Sequence, residues 1–173
     1  MDESGVRGQL EQHHAESYGW ALSCCAHNPV EAEDVLQMVY MKILQGRARY
    51  DGRSALKTWL FAVIRHTAAN ERRRHWLRRL RLERYAREQQ MSPPSDGQDH
   101  TLGQPERLKA FQAALARLSA RQQEVLHLTF YQDLTLQEAA GVMGVTVGSA
   151  RTHYERGKAR LRGWLNLQEQ ADE

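Results

Sequence analysis

The sequence predicts an all-α protein: two small helical domains joined by a flexible linker, the second carrying a helix-turn-helix. Three observations point to this. Apolar residues recur at three- and four-residue steps along both halves of the chain, the signature of amphipathic helices. Two capping boxes, Thr135 with Glu138 and Ser119 with Gln122, mark helix starts, because in each pair one side chain satisfies the other's orphan N–H. Between them and the N-terminal half, Met91-Ser92-Pro93-Pro94-Ser95-Asp96-Gly97-Gln98-Asp99, followed by Gly103 and Pro105, has the composition of an extended linker. The domains so predicted span residues 9–88 and 106–168, with residues 89–105 between them.

Composition sets the outer limits. The 173 residues are 41% hydrophobic, enough to build real cores in one or two domains. No apolar run approaches the roughly 20 residues needed to cross a bilayer, and the chain starts with Asp2 and Glu3 where a secretory signal would carry basic residues. A cytoplasmic protein without membrane insertion is expected. Cys24 and Cys25 are adjacent, a poor arrangement for bridging each other and no metal-ligand spacing, so both are expected as buried, reduced thiols. The net charge of +3 conceals an asymmetry. Residues 65–87 hold nine Arg against Glu71 and Glu83, a local balance of +7, and residues 151–162 reach +4, leaving −8 for the rest. Two basic stretches on an otherwise acidic chain suggest two contacts with a polyanion.

The elements follow in order. Leu10, His14, Tyr18, Ala21, Leu22 and Cys25 predict one helix over residues 9–27, broken by Asn28-Pro29. His13 and His14 have no carboxylate or thiol partner at ligand spacing and are expected at or near the surface. From Pro29 a second helix opens with Glu31, Glu33 and Asp34, where negative charge suits the helix dipole. Val35, Leu36, Val39, Tyr40, Ile43 and Leu44 form its apolar face, with Gln37, Met41 and Lys42 off that face. Those three, beside acidic residues, fit a docking surface as well as an ordinary solvated edge. Residues 45–54 read as a loop with an aromatic among cations: Tyr50, Arg53 and Ser54 suit an unstacked base, although a surface loop without a ligand looks the same. The next helix, starting near Ser54, has Leu56, Trp59, Leu60, Val63 and Ile64 on one face and then turns basic. Arg72, Arg73 and Arg74 alternate there with His66, Asn70, His75 and Trp76, a mixture that fits strand binding through phosphates and π-faces. A membrane-surface or calmodulin-target helix is the competing reading, and the excess of Arg over Lys favours nucleic acid.

Beyond the linker, Leu108, Phe111, Leu115 and Leu118 predict a helix with a narrow seam, and Val125, Leu126 and Leu128 supply the core face of the next. Thr135 then starts a short helix whose stripe is Leu136, Ala139, Ala140 and Met143. Gly144 is expected at positive φ to end it, and Thr146 to cap a second helix from Val147. That second helix turns Ser149, Arg151, Thr152, Glu155, Arg156 and Lys158 outward and Ala150, Tyr154 and Leu161 inward, as a helix entering a major groove would.

Taken together these residues resemble a family. Ala32-Glu33-Asp34-Val35-Leu36-Gln37 with Tyr40, Lys42 and Ile43, then Tyr50, Gly52, Ser54, Leu56 and Thr58-Trp59-Leu60, then the Arg-rich helix, are similar to the promoter-melting domain of the extracytoplasmic-function sigma factors of bacterial RNA polymerase. Leu118-Ser119 with Arg121-Gln122 and Glu124-Val125-Leu126, Leu134-Thr135-Leu136 with Glu138-Ala139-Ala140, and residues 144–152 resemble the −35-binding domain of the same family. The resemblance implies a specificity subunit that binds core polymerase through Asp34, Gln37, Met41 and Lys42. It implies −35 recognition by the second domain and −10 opening by the first, with a flipped base received by residues 50–54 near His66. It further implies promoter DNA and an anti-sigma factor as partners, no cofactor or metal, and no catalytic residue. Met38 stands where relatives usually carry an acidic residue, and His66 where many carry Asn.

Two other classes fit the chain less well. A helix-turn-helix regulator of the response-regulator output type accounts for the region from Ser119 to Leu161 but requires a receiver with alternating strands, which residues 1–100 lack. A small metal-dependent hydrolase requires clustered ligands, and the histidines are scattered.

Overall fold

The computed structural model describes residues 3–89 and 114–169, and their regular structure is entirely helical. The helices are α1 (Glu3–Gln12), α2 (His14–Cys24), α3 (Pro29–Leu44), α4 (Leu56–Gln89), α5 (Ala120–Phe130), α6 (Leu136–Met143) and α7 (Val147–Glu169). Nearly all of the predicted linker, with Leu108 and Phe111, lies outside the described residues. No helix among the described residues is long and apolar enough to cross a membrane.

The single helix expected over residues 9–27 is two. The chain kinks at His13 (φ −96°, ψ 9°), whose Nδ1 meets Glu16 Oε2 at 3.0 Å. The turn-to-turn bonding continues through the kink, Ser17 N donating to the His13 carbonyl at 2.9 Å, so periodicity alone does not reveal it. The second part ends at Cys24, and Ala26 and His27 turn the chain in the left-handed region (φ 51° and 63°). Asn28 Oδ1 then accepts from the N–H groups of Val30 and Glu31 at 3.1 and 3.3 Å, and Pro29 occupies the first turn of α3, where its missing N–H costs nothing.

Helices α2, α3 and α4 enclose the first core, of Trp20, Ala21, Val35, Leu36, Val39, Leu60, Phe61 and Ile64, all buried. Trp20 is completely buried and donates its indole N–H to the Phe61 carbonyl at 3.0 Å, while its ring stacks on Phe61 with centroids 6.0 Å apart. Truncating such a residue to Ala typically costs about 3–5 kcal/mol. Cys24 and Cys25 are free and buried, and burial pushes both thiols upward, Cys24 furthest, so neither ionises readily.

In the second domain α5, α6 and α7 pack Val125, Leu126, Leu128, Ala139, Ala140, Val142, Met143 and Ala150 together. Local chemistry sets its turns. Thr135 Oγ1 accepts from Glu138 N at 3.3 Å while Glu138 Oε2 accepts from Thr135 N at 2.9 Å. The Thr135 hydroxyl also donates to Glu138 Oε2 at 2.7 Å, and that bond, with the one from Thr135 N, holds the Glu138 carboxyl below its ordinary value. Gly144 ends α6 at φ 64°, and Thr146 Oγ1 accepts from Ser149 N at 3.2 Å to open α7. Gly157 is buried where α7 crosses α5, and a Cβ there would stand 3.0 Å from Leu126 Cδ1.

The two domains are docked. α6 lies against α4 and α5 against α2, and one apolar cluster runs through both domains. At the seam Arg65 Nε and Nη2 reach the Glu124 carboxylate at 3.0 and 3.4 Å, and Lys57 Nζ donates to the Gln132 carbonyl at 2.9 Å and to Glu16 Oε1 at 2.8 Å. The His127 ring lies 5.3 Å from that of Trp20, and Gln132 Nε2 stands 3.3 Å from His127 Nε2. Gln132 also points Nε2 at the Glu16 carbonyl, so its amide donates and His127 Nε2 accepts, leaving Nδ1 protonated.

Burial, with His27 adding a smaller repulsion, lowers the His127 pKa from 6.5 to about 4. The unfolded chain therefore binds a proton that the folded chain refuses, and stability is lost as pH falls from 6.5 towards 4. His127→Gln is expected to flatten this part of the pH profile. Urea midpoints of both proteins at pH 7 and pH 5 check it, and an unchanged difference between the two pH values contradicts the assignment.

Candidate nucleic-acid interface

The C-terminal site is the outer face of α7. Ser149, Arg151, Thr152, Glu155 and Arg156 are all exposed on its first turns. Their freedom differs. Ser149 Oγ is tied to Thr146 Oγ1 at 2.9 Å, and Thr152 Oγ1 donates back to the Gly148 carbonyl at 3.0 Å, so both hydroxyls are partly spent on the helix start. Lys158 is half-buried with its ammonium 4.9 Å above the Tyr154 ring, itself stacked on Phe130 at 5.9 Å. Arg151 and Arg156 are exposed cations of the face, long enough to reach base edges or phosphates. Inward, Ala150 is fully buried and Gly157 admits α5, so packing fixes which way the helix faces.

The N-terminal site has two parts. In the loop, Gly52 takes φ 74° and the Tyr50 hydroxyl donates to the Ser54 carbonyl. The Tyr50 ring is tilted on Trp59 at 5.5 Å, which makes it a brace of the loop as well as a surface for stacking. Arg53 and Ser54 are exposed; Arg53 N–H bonds Asp51 Oδ1 at 3.2 Å and its guanidinium stands 3.4 Å from Asp51 Oδ2. A cavity of about 290 Å³ adjoins the loop, with Ile43, Tyr50, Leu56 and Trp59 in its wall.

On α4, Asn70 Nδ2 stands 3.3 Å from His66 Nδ1, which makes Nδ1 the acceptor and places the His66 proton on the outward Nε2. His66, Asn70, Arg73 and Arg74 share one face by the helical repeat. Arg72 does not. It turns towards α2 and α3, where it lines a recess with Cys25, Glu31 and Asp34. Arg74 also pairs with Glu71 at 2.7 Å, so the three consecutive arginines offer one strand unequal contacts.

The third surface is on α3. Asp34, Gln37 and Met41 are exposed on one edge, whereas Lys42 is half-buried and donates to Thr67 Oγ1 at 3.0 Å inside the fold. The edge is longer than the sequence reading gave. Val30 is 67% exposed and Leu44 41%, at either end of a Val30, Asp34, Gln37, Met41, Leu44 stripe with Met41 57% exposed. Spacings of four, three, four and three are those of a helix face built to meet another helix. Periodicity assigned Leu44 to the inner face. Val30, at the start of the helix, gave no signal because one apolar residue beside Pro29 has no partner to be periodic with. Among the described residues no group of three His, Cys, Asp or Glu side chains is placed to hold a metal ion.

Comparison with known proteins finds relatives for both halves of the chain. A Sigma-70 region 2 family model matches residues 10–78 and a Sigma-70 region 4 model matches residues 108–161. The chain is 31% identical over 144 residues to the ECF RNA polymerase sigma factor SigX of Bacillus subtilis, covering 79% of this chain and 72% of the relative. It is 33% identical over 142 residues to the ECF RNA polymerase sigma factor SigC of Mycobacterium tuberculosis, covering 82% and 74%. Its fold is similar to that of the sigma factor RpoE of Bartonella quintana, solved with the anti-sigma factor NepR, at a TM-score of 0.67 with 24% identity over 94% of this chain and 97% of that one.

The bracing role of Tyr50 is directly testable. Tyr50→Phe keeps the ring on Trp59 and removes the bond to the Ser54 carbonyl, so amide hydrogen exchange across residues 50–54 is expected to rise several-fold while α4 stays protected. Unaltered exchange in the loop means that the hydroxyl does not hold it.

Proposed function

Because the chain belongs to the extracytoplasmic-function sigma factors, which direct promoter-specific initiation by RNA polymerase, we propose a division of that work among its residues. Residues 9–88 form the core-binding and promoter-melting domain, 89–105 the linker, and 106–168 the −35-reading domain. Arg151, Arg156 and the methyl of Thr152 read the −35 major groove, with Ser149 and Glu155 at its edge and Lys158 on a phosphate. Tyr50, Arg53, Ser54, His66, Asn70, Arg73 and Arg74 engage the −10 strand, and Arg72 acts from the flank. The stripe that includes Asp34, Gln37 and Met41 docks on the polymerase, with Lys42 holding α3 to α4 from within. The protein works in the cytoplasm, where its template is. An anti-sigma factor is the expected regulator, since RpoE of Bartonella quintana was solved with one. The chain supplies no catalytic group of its own in this reading: phosphodiester chemistry belongs to the polymerase.

The observation that carries the reading is the presence on one chain of two separate exposed basic faces, one on a capped helix-turn-helix and one on a long helix next to an aromatic loop. Two DNA contacts of different kind are what duplex recognition and strand opening require. Adding the protein to core polymerase and mapping transcript starts tests it. Starts at one promoter class support it, and unselective initiation sinks it.

Two expectations separate the faces. Arg151→Ala should cost about 1–3 kcal/mol and relax selectivity at one −35 position, whereas Lys158→Ala should weaken all sequences alike; affinities for a panel of −35 duplexes decide. Replacing Arg73 and Arg74 by Gln should lower the salt slope for the opened strand by about 1.4, at roughly 0.7 per lost phosphate contact, and leave −35 binding intact. Titrations at several salt concentrations, with permanganate mapping of the bubble, measure this.

A further inference from the structure

One turn of α4 is pinned from below and open above. Ile64, Thr67 and Ala68 are buried, and Thr67 Oγ1 accepts from the Lys42 ammonium at 3.0 Å, so the rotation of the helix is fixed just where His66 faces outward. His66 is exposed, and Asn70, one turn on, is half-buried. The Asn70 amide donates from Nδ2 to His66 Nδ1 at 3.3 Å. A neutral imidazole carries one proton, and the ring nitrogen that accepts a bond cannot hold it. His66 therefore turns a single donor, Nε2–H, away from the helix, and that group has no partner among the described residues.

The loop beside it has less left to offer. The Tyr50 hydroxyl is spent on the Ser54 carbonyl, Ser54 Oγ donates to the Ala55 carbonyl at 3.3 Å, and Arg53 is turned to Asp51 through both its N–H and its guanidinium. Tyr50 and Trp59 supply ring faces, which stack on any base alike. A base in the duplex has its Watson–Crick edge occupied by its pair, whereas one taken out of the stack presents that edge to the protein. At the middle of the edge adenine N1 and cytosine N3 are acceptors, while guanine N1 and thymine N3 carry a hydrogen. A fixed donor is satisfied there by the first two bases and meets another donor in the last two, leaving both groups unpaired.

Resting on the sigma-factor reading above, we propose that His66, its proton held on Nε2 by Asn70, selects an amino base, adenine or cytosine, at an unpaired −10 position, and that Asn70 is a positioning residue acting through that ring. The atom recognised, N1 or N3, is exposed only in an opened strand, so the bond that chooses the base also favours opening. Asparagine at position 66 would lack this restriction, because its amide turns over to present either a donor or an acceptor.

The experiment has two arms on the full-length chain near pH 8.5, about two units above the ordinary imidazole pKa. In the first, nitrogen-15 spectra of the free protein read the tautomer of His66, whose signals are assigned by their loss in His66→Gln. The wild type is expected to show Nε2–H alone, Asn70→Ala a mixture of both tautomers, and Asn70→Asp, whose carboxylate only accepts, chiefly Nδ1–H. A wild-type His66 as mixed as in Asn70→Ala, or protonated on Nδ1, overturns the proposal. In the second arm the protein and core polymerase transcribe templates carrying each of the four bases at each −10 position. At one position adenine or cytosine should exceed guanine and thymine about tenfold; Asn70→Ala should narrow that ratio at least threefold, and Asn70→Asp should reverse the order. An identical ranking in all three proteins overturns the role of Asn70, however much their total output differs. Placing 1-deazaadenine or 3-deazacytosine at that position removes the ring acceptor and should abolish the wild-type preference; an undiminished preference overturns the choice of atom. Failure of the wild type to initiate on any template sinks the sigma-factor reading instead, and the spectra still decide whether Asn70 fixes the proton.

Discussion

Trp20 is the contact on which the arrangement of the helices depends. It comes from α2, hydrogen-bonds the backbone of α4 through the Phe61 carbonyl, stacks on the Phe61 ring and meets His127 of α5. A buried indole satisfies its one N–H only in a narrow range of orientations, and here that range fixes α2 relative to α4. The same ring then forms part of the floor on which the second domain rests. One side chain thus belongs both to the core of the first domain and to the contact between the domains.

That double role explains why the polar groups around it are arranged as they are. Away from the seam, the domains close mostly over apolar residues, such as Val39 and Ile64 in the first and Leu128 and Met143 in the second. At the seam, charge and carbonyl groups meet: Lys57 serves the end of α5 and Glu16 together, and Arg65 shares Glu124 with Arg121. Arg121 also donates to the Met143 carbonyl at 3.1 Å, at the close of α6. The helix-turn-helix therefore keeps its own tie to α5 whether or not the first domain is present.

What was legible in the sequence was local chemistry. The Thr135–Glu138 box, the positive φ of Gly144, the Thr146 cap and the Pro29 start each depend on residues within four positions of one another, and the structure places all of them as read. Exposure of Arg151 and Arg156 on α7 followed from the helical repeat in the same way, whereas Lys158, read as outward, is half-buried over Tyr154. What sequence did not show depends on residues far apart. The kink at His13 leaves the spacing of apolar residues intact. Lys42 looks like a surface residue until Thr67, twenty-five positions on, provides its partner. Arg72, Arg73 and Arg74 form one basic run in sequence, but a helix turns about 100° per residue and sends them to different neighbours. The docking of the domains was the least legible, because the Arg65–Glu124 pair joins two residues that each looked like ordinary solvated charges.

The crossing of α7 over Gly157 reaches beyond packing. Ala150 and Gly157 are buried and hold the helix, whereas Arg151, Glu155 and Arg156 are exposed. Substitutions at such exposed positions usually change stability by no more than about 0.5 kcal/mol. On the proposed assignment of these residues to the −35 element, promoter preference can therefore drift, or be exchanged by design, almost independently of foldability. A set of regulators that must not cross-talk can arise from one scaffold by varying three outward side chains while the inward glycine stays fixed.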